Sequence, residues 1–562
     1  MVHSVPGAGE GATLPPSSTA VPSAALPPRL LRRLAVLLYI FVAAVYLLTG
    51  SARMGNSDAG SMFDVTRNMF TRRSIDAEPC VAEVAGNQCV PGIDGRNYSG
   101  YGVISSAIAY PAFAVGWYAS KALHKEPEML AGSTISLGNA LLGALVPVVL
   151  FLWTLRIGFS PKVALITALT LAFATPYWFH SVKGFHSEPH FALGFLTSCY
   201  MLSLPRMKGS ALLAGLCFGV AVGCRVYGLI LTPFLLWYLW RTSLRVGDDN
   251  RAMFARLVQF GIGLGIFLAI IGTFNTIRFG SPLKSGYHMA FPTLPRLLGT
   301  PFFFGLMHLL FSGRVGLFWF TPVLLLLIFA AKRFWTTHRD EAVLCFGVGL
   351  ASILFFAKYT AWDGGWSYGP RLLTPTIPLM ILPLAALFSR FWGRDKEKHP
   401  GGVLPITVGI LALSFLVQLP GLGSSMSRYY YLVKYNDKAG VTPWYGGSSL
   451  LAAVDAVPGY LHPPDPNAPI PDLPKGSDGE LVSVQGITAQ QYLMSLPNGI
   501  NQAAADLWLV KAPIMGLPKA APIAGFLVLG GVAIAAFLNL RSGIQRAEDE
   551  LSTATPAPQG AV

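Results

Sequence analysis

The sequence predicts an all-α polytopic membrane protein, with about 12 transmembrane helices and interfacial helices in its first outer loop. Three observations carry this. Of 562 residues, 53% are hydrophobic and only 12% are charged, well below the charged share of a soluble domain. The apolar residues fall in runs of membrane-helix length. Lys and Arg gather in the short loops between those runs, so the formal charge of +14 reads as topology bias and contact with anionic lipids. No stretch alternates basic with aromatic residues in a soluble domain, which argues against a nucleic-acid partner.

Taken in order, residues 1–28 are rich in Pro, Ala, Ser and Gly and predict a disordered cytoplasmic tail. This is not the pattern of a cleavable signal, because the basic Arg29, Arg32 and Arg33 come after it. Spans are expected at 34–49, 131–155, 163–179, 191–204, 211–223, 227–240, 257–274, 316–331, 342–357, 372–388, 403–419 and 521–540. The apolar stretch 101–120 holds Pro111 and small polar residues and is placed in the interface. The run 211–240 is too long for one upright helix and carries Arg225, so two helices turning at that arginine are expected. The basic loops around Arg156, Arg206, Arg245, Lys332, Arg394 and Arg541 then share the cytoplasmic side with both termini. The predicted organisation is a membrane core over 29–419, an irregular outer region over 420–520, a last span at 521–540 and a disordered cytoplasmic tail at 541–562.

The chain is organised around Asn56-Ser-Asp-Ala-Gly-Ser-Met-Phe-Asp64, just past the outer end of the first span. Asp58 there is an acid at the membrane boundary and hence a functional candidate, although Asp also makes a good helix N-cap. Further polar clusters fall on the same side. One is His180-Ser-Val-Lys-Gly-Phe-His-Ser-Glu188-Pro, and a second holds Arg278 and Tyr287, followed by Arg314. The last is Lys358-Tyr-Thr-Ala-Trp-Asp-Gly-Gly-Trp366-Ser-Tyr368-Gly-Pro-Arg371. Carboxylates, cations and aromatics at the mouth of an apolar bundle suit an amphiphilic donor with a lipid tail, a phosphate and a sugar. Glycosyl transfer needs a carboxylate to take the acceptor proton, and cations to stabilise the departing phosphate. The sequence contains no Gly-rich phosphate loop and no His/Cys/Asp spacing specific for zinc.

At these residues the chain resembles a family. The early Asp, Phe-His-Ser-Glu-Pro, Arg-Phe-Gly-Ser-Pro…Gly-Tyr, Phe-Ser-Gly-Arg-Val-Gly-Leu-Phe and Gly-Gly-Trp-Ser-Tyr-Gly-Pro-Arg look like motifs of the bacterial polyprenyl-phosphate-dependent glycosyltransferases of the GT-C fold. Relatives there include protein O-mannosyltransferases and the lipid A aminoarabinose transferase, and the resemblance runs from about residue 34 to 419. It implies a plasma-membrane enzyme with an extracytoplasmic site, a polyprenyl-phosphate sugar donor, and an envelope glycan, lipid or protein acceptor. Asp58 becomes the acceptor-side base and Glu188 the second outward acid. Lys358, Arg371, Arg225 and Arg278 become donor-phosphate contacts, with Trp366 and Tyr368 against the substrate. The single acid at Asp58, where some relatives have an adjacent pair, leaves use of a divalent metal open, and no cofactor is assigned.

Structural readings stand beside these roles. Glu188 could cap a helix or pair with Lys183, His180 and His186 could be interfacial hydrogen-bonders, and Asp64 is placed to pair with Arg67. A lipid or sugar transporter, or an oligosaccharide ligase or polymerase, would suit the same outward cluster, although no internal repeat supports a transporter. Cys80 and Cys89 share an outer polar loop, where a disulfide would contribute roughly 2–3 kcal/mol. Cys199, Cys217, Cys224 and Cys345 fall in or beside apolar runs and are expected to pack.

Overall fold

Arginines followed by an unbroken apolar run produce the first helix, α1 (Pro28–Thr49), with proline in its first turn where no backbone donor is lost. Its 22 residues reach about 33 Å, enough to cross a bilayer. The computed structural model describes residues 26–553 apart from 55–56, 79, 81–88, 366, 394–400, 425–446, 456, 458–482, 485–486, 489–505, 512–517 and 519. Among the described residues, eight helices are long and apolar enough to cross a membrane, and two shorter apolar ones, Pro161–Phe173 and Ser210–Cys224, lie among them. The chain is a multi-pass helical membrane protein.

After α1 come α2 (Ser57–Thr71), α3 (Val103–Leu123), α4 (Pro127–Gly143), α5 (Leu145–Arg156), α6 (Pro161–Phe173), α7 (Tyr177–Val182), α8 (Ser187–Leu202), α9 (Ser210–Cys224), α10 (Thr232–Arg245) and α11 (Asn250–Phe279). Short helices α12 (Gly286–Ala290) and α13 (Leu294–Leu297) lead to α14 (Phe302–Phe311), α15 (Leu317–Phe320), α16 (Leu327–Thr337) and α17 (Arg339–Lys358). The segment Arg371–Trp392 is broken into short turns of helix, including α18 (Ile377–Ile381) and α19 (Ala385–Trp392), and α20 (Val403–Gly423) follows. Prolines 375, 378 and 383 cause the breaks. They are tolerated because this segment is the most buried of the candidate spans and its neighbours surround it. A hairpin of Cys89–Pro91 and Asn97–Ser99 closes the first loop, where Cys80 and Cys89 are joined with Cα atoms 6.4 Å apart.

Side-chain bonds sort the loops into two ends. At one end His338 Nε2 meets the Ile157 carbonyl at 3.0 Å, Arg156 donates to the Ser203 carbonyl at 3.1 Å, and Arg245 pairs with Asp340 and Glu341 at 2.7 and 3.0 Å. These are the basic loops of the sequence reading. Asp58, Glu188, Arg225 and Arg371 meet at the opposite end, in the cluster described below.

One expectation of the sequence reading meets an apolar run that tests it, and two others are changed by the structure. Leu294–Phe311 falls in an expected outer loop, yet it is apolar enough to cross, and Phe303 is 76% exposed. Both of its flanks are nevertheless tied to one connection. Thr300 Oγ1 donates to the Tyr359 carbonyl at 2.8 Å, and Arg314 pairs with Asp363 at 2.8 Å. A helix of 10 residues with both flanks at one end of the bundle lies along that end and does not cross. The last helix, Ala520–Thr553, runs past the expected end of the span at 540. Leu540, Gly543, Ile544 and Ala547 recur at helical spacing and are buried, so half of the expected tail is an ordered amphipathic helix. The outer region expected to be irregular sends two described segments back onto the bundle. Ser448 and Ser449 donate to the carbonyls of Gly313 and Arg314, and Trp508 binds the carbonyls of Leu47 and Gly50. The rest of that region lies outside the described residues.

Candidate active site

Four separate turns converge at the end of the bundle opposite the basic loops. Asp58 lies in the first turn of α2, as the second residue of the helix and therefore inside it and not at its N-cap. The apolar residues Ala59, Met62 and Phe63 of that turn are buried against Phe113, Ala131, Ile135 and Phe185, which fixes the helix on the bundle. Ser187 and Glu188 open α8 after His186, its N-cap residue, so the acid sits where the helix dipole favours negative charge. Arg225 is the single extended residue (φ −147°, ψ 108°) between α9 and the following helical turn, as the sequence reading placed it. Arg371 opens the proline-broken segment directly after Gly369 and Pro370. Gly369 adopts φ +74°, and a Cβ there would come within 2.9 Å of the Phe320 ring, so this turn requires glycine.

Glu188 is at the centre and fully buried. Its Oε1 accepts from Arg225 Nη2 and from Arg371 Nε, both at 2.5 Å. Arg225 Nε also donates to Ser187 Oγ at 2.9 Å. The other side of Arg371 faces Asp58, with Nη2 and Oδ2 at 2.6 Å. This contact is close enough for an ion pair but lacks hydrogen-bond alignment, since Arg371 Nη2 has no hydrogen-bond partner. Arg371 therefore bridges the two acids. With two carboxylates and two guanidiniums the cluster is charge-balanced, as burial at this depth demands.

The second oxygen, Glu188 Oε2, has no hydrogen-bond partner and lies 3.8 Å from His186 Nδ1. Burial pushes the His186 imidazole down to about 4, outweighing Glu188, so the contact is with a neutral ring. His180 packs edge-on against His186 with ring centroids 5.3 Å apart, and burial holds it well below its usual value too. Tyr101 lies 5.8 Å from the Arg225 guanidinium and 6.4 Å from Tyr287. Burial, reinforced by Asp58, raises the Tyr101 phenol well above its usual range, and burial raises Tyr287 against the opposing Arg225. Both phenols stay protonated beside the acids.

A neutral buried histidine makes stability depend on acid. The unfolded chain takes up a proton near pH 6.5 and the folded chain does not until about 4, so stability is full above 6.5 and falls as pH drops through that window. His186 contributes at most about 1.4 kcal/mol per pH unit to that slope. In detergent, His186→Gln should show a shallower fall of melting temperature between pH 6.5 and 4.5 than the wild type. Parallel curves would refute this.

Of the sequence-predicted residues, Asp58, Glu188, Arg225 and Arg371 come together, and the others stand apart. Arg278 is committed to structure, donating to the Ser99 and Tyr101 carbonyls at 2.6 and 3.3 Å and to Asn275 Oδ1 at 2.7 Å. Its guanidinium also lies over the Phe274 and Phe279 rings, leaving little to offer a phosphate. Tyr368 is buried between Phe179 and Phe320, and its hydroxyl donates to the Val417 carbonyl, so it is a packing residue. Lys358 ends α17, and its amine has no hydrogen bond or ion pair among the described residues. Trp366 lies outside the described residues. Lys183 donates to the Asp506 carbonyl and does not pair with Glu188, whose partners are the two arginines. Asp64 pairs with Arg67 at 3.0 Å. Sequence reasoning missed Ser187 and Tyr101. The one available signal was their place beside residues already singled out. Among the described residues no three His, Cys, Asp or Glu side chains are grouped to hold a metal ion.

No protein-family model matches the sequence, and no curated protein matches it. Among solved structures the chain is similar to ArnT from Cupriavidus metallidurans in the apo state, at 15% identity and a TM-score of 0.45, over 91% of this chain and 76% of that one. It is also similar to the archaeal oligosaccharyltransferase AglB from Archaeoglobus fulgidus, in complex with an inhibitory peptide and a dolichol-phosphate, at 13% identity and a TM-score of 0.45. That alignment covers 69% of this chain and 55% of the archaeal one. Likenesses of this size leave the chemistry to be argued from the residues.

Proposed function

We propose that this chain is a membrane glycosyltransferase, moving a sugar from a polyprenyl-phosphate donor to a cell-envelope acceptor at the outer face of the plasma membrane. The observation that carries the reading is the buried bridge from Asp58 through Arg371 to Glu188 and Arg225, at one end of an apolar bundle. In this reading Asp58 takes the proton of an acceptor hydroxyl as its oxygen attacks the anomeric carbon. The bond from that carbon to the phosphate oxygen breaks, and polyprenyl phosphate leaves with its charge stabilised by Arg371 and Arg225. An incoming donor phosphate competes with Asp58 for Arg371. Arrival of the donor would then free the carboxylate to act as a base, which links donor binding to base activation.

The test is incubation of the purified protein with polyprenyl-phosphate sugars and envelope acceptors, reading release of polyprenyl phosphate. Absence of release with every sugar, together with movement of labelled lipid across a vesicle bilayer, would replace the enzyme by a transporter. Orientation is checked separately. The exposed Lys284 is on the loop after α11 and the exposed Lys332 is on α16, towards the other end. In intact cells, Lys284→Cys should react with an impermeant thiol reagent and Lys332→Cys should not. The reverse labelling would place the acidic cluster inside.

A further inference from the structure

We propose that the cleft between the start of α1 and the carboxy-terminal half of the Ala520–Thr553 helix binds the headgroup of an anionic phospholipid. The cleft has a volume of about 700 Å³ and is lined by Arg33, Arg541 and Arg546 over an apolar floor that includes Leu30 and Leu538. None of the three guanidiniums makes a hydrogen bond or ion pair among the described residues. Other arginines at this end of the bundle are spent on acids: Arg241 and Arg245 on Asp340, and Arg256 on Asp248. The one acid lining the cleft, Asp549, accepts from Gln545 Nε2 at 2.9 Å, so the lining carries three positive charges against one negative. Arginine suits phosphate oxygens through paired donors, and basic clefts between membrane helices at a leaflet boundary suit lipid phosphates.

Two features favour a lipid over a free anion. The cleft opens onto an exposed apolar face: Leu538 is 55% exposed, and Ile534 and Val528 are 63% and 62% exposed on the same helix. Acyl chains would lie along that face while the phosphate met the arginines. The helices are also held together beside the cleft. Gly543 is buried, and a Cβ there would stand 2.8 Å from Leu34 Cδ2, so the arginines on either side of the contact have a fixed separation.

The experiment uses the full chain in nanodiscs of phosphatidylcholine doped with phosphatidylglycerol, counting lipids retained after detergent extraction by native mass spectrometry. Wild type should retain phosphatidylglycerol preferentially. In Arg33→Gln/Arg541→Gln/Arg546→Gln the preference should fall by about fivefold per arginine removed. Arg541→Lys/Arg546→Lys keeps the charge and should keep most of the preference, which separates lost binding from a damaged helix pair. Arg206→Gln/Lys208→Gln alters basic residues elsewhere at this end and should change nothing. Equal retention in the triple variant, equal loss in the Arg206/Lys208 control, or displacement of the lipid by soluble glycerol phosphate would each overturn the proposal.

Discussion

Asp58→Asn is expected to lower turnover by roughly 10²–10⁴-fold while leaving a folded protein, because the amide keeps the shape of the carboxylate but cannot take a proton. The geometry separates this from a structural role. Asp58 is already helical, so it is not the residue whose side chain would close the start of α2. Removing its charge leaves Arg371 compensated by Glu188 at 2.5 Å. The stability loss should therefore stay below the roughly 3–5 kcal/mol of a buried charge left with no partner. Glu188→Gln is the informative contrast. It withdraws the anion shared by Arg225 and Arg371, and two buried guanidiniums then have only Asp58 between them. That variant should lose about 3–5 kcal/mol and express poorly. Release of polyprenyl phosphate and melting temperature, measured on both variants, give the comparison. Near-normal turnover in Asp58→Asn would remove the base from the proposed mechanism.

The sequence made the helices legible because their ends are written in residue chemistry: arginines in the first turns of α1, the break at Arg225, prolines through 371–392. It also put Asp58, Glu188, Arg225 and Arg371 at one end, because alternation of basic loops fixes which turns share a side. Composition and spacing alone do not rank the arginines. Arg278 and Arg371 look equivalent in a sequence, each beside glycine and proline. The difference arises from tertiary placement, one facing backbone carbonyls and ring faces and the other facing carboxylates. The same limit hid the extension of the last helix. Between Leu540 and Ala547 the apolar positions are small or few, and the charges around them read as a tail until α1 supplies the surface that covers them. An aromatic such as Tyr368 is equally silent, since the motif holding it says nothing of whether its hydroxyl meets a sugar or a carbonyl.

Arg371→Ala should be the most damaging single change in the cluster. Nε and Nη2 of one guanidinium reach two acids from different elements at 2.5 and 2.6 Å, and deletion leaves Asp58 without its partner and Glu188 with only Arg225. Breaking a buried ion pair from one side costs about 3–5 kcal/mol, because the remaining charge stays desolvated. Arg371→Lys should be milder in stability yet still impaired in donor use, since an ammonium is a point charge and cannot span both carboxylates or hold a phosphate with paired donors. Expected results are a large drop in melting temperature for the alanine variant, a smaller one for lysine, and a raised donor KM for lysine at preserved expression. The double variant Arg371→Ala/Asp58→Asn distinguishes the causes. Removing the stranded carboxylate should restore part of the melting temperature lost by Arg371→Ala, while transfer stays absent because base and phosphate contact are both gone. An alanine variant that melts like the wild type, or a double variant no more stable than Arg371→Ala, would mean that Arg371 does not hold the two acids together.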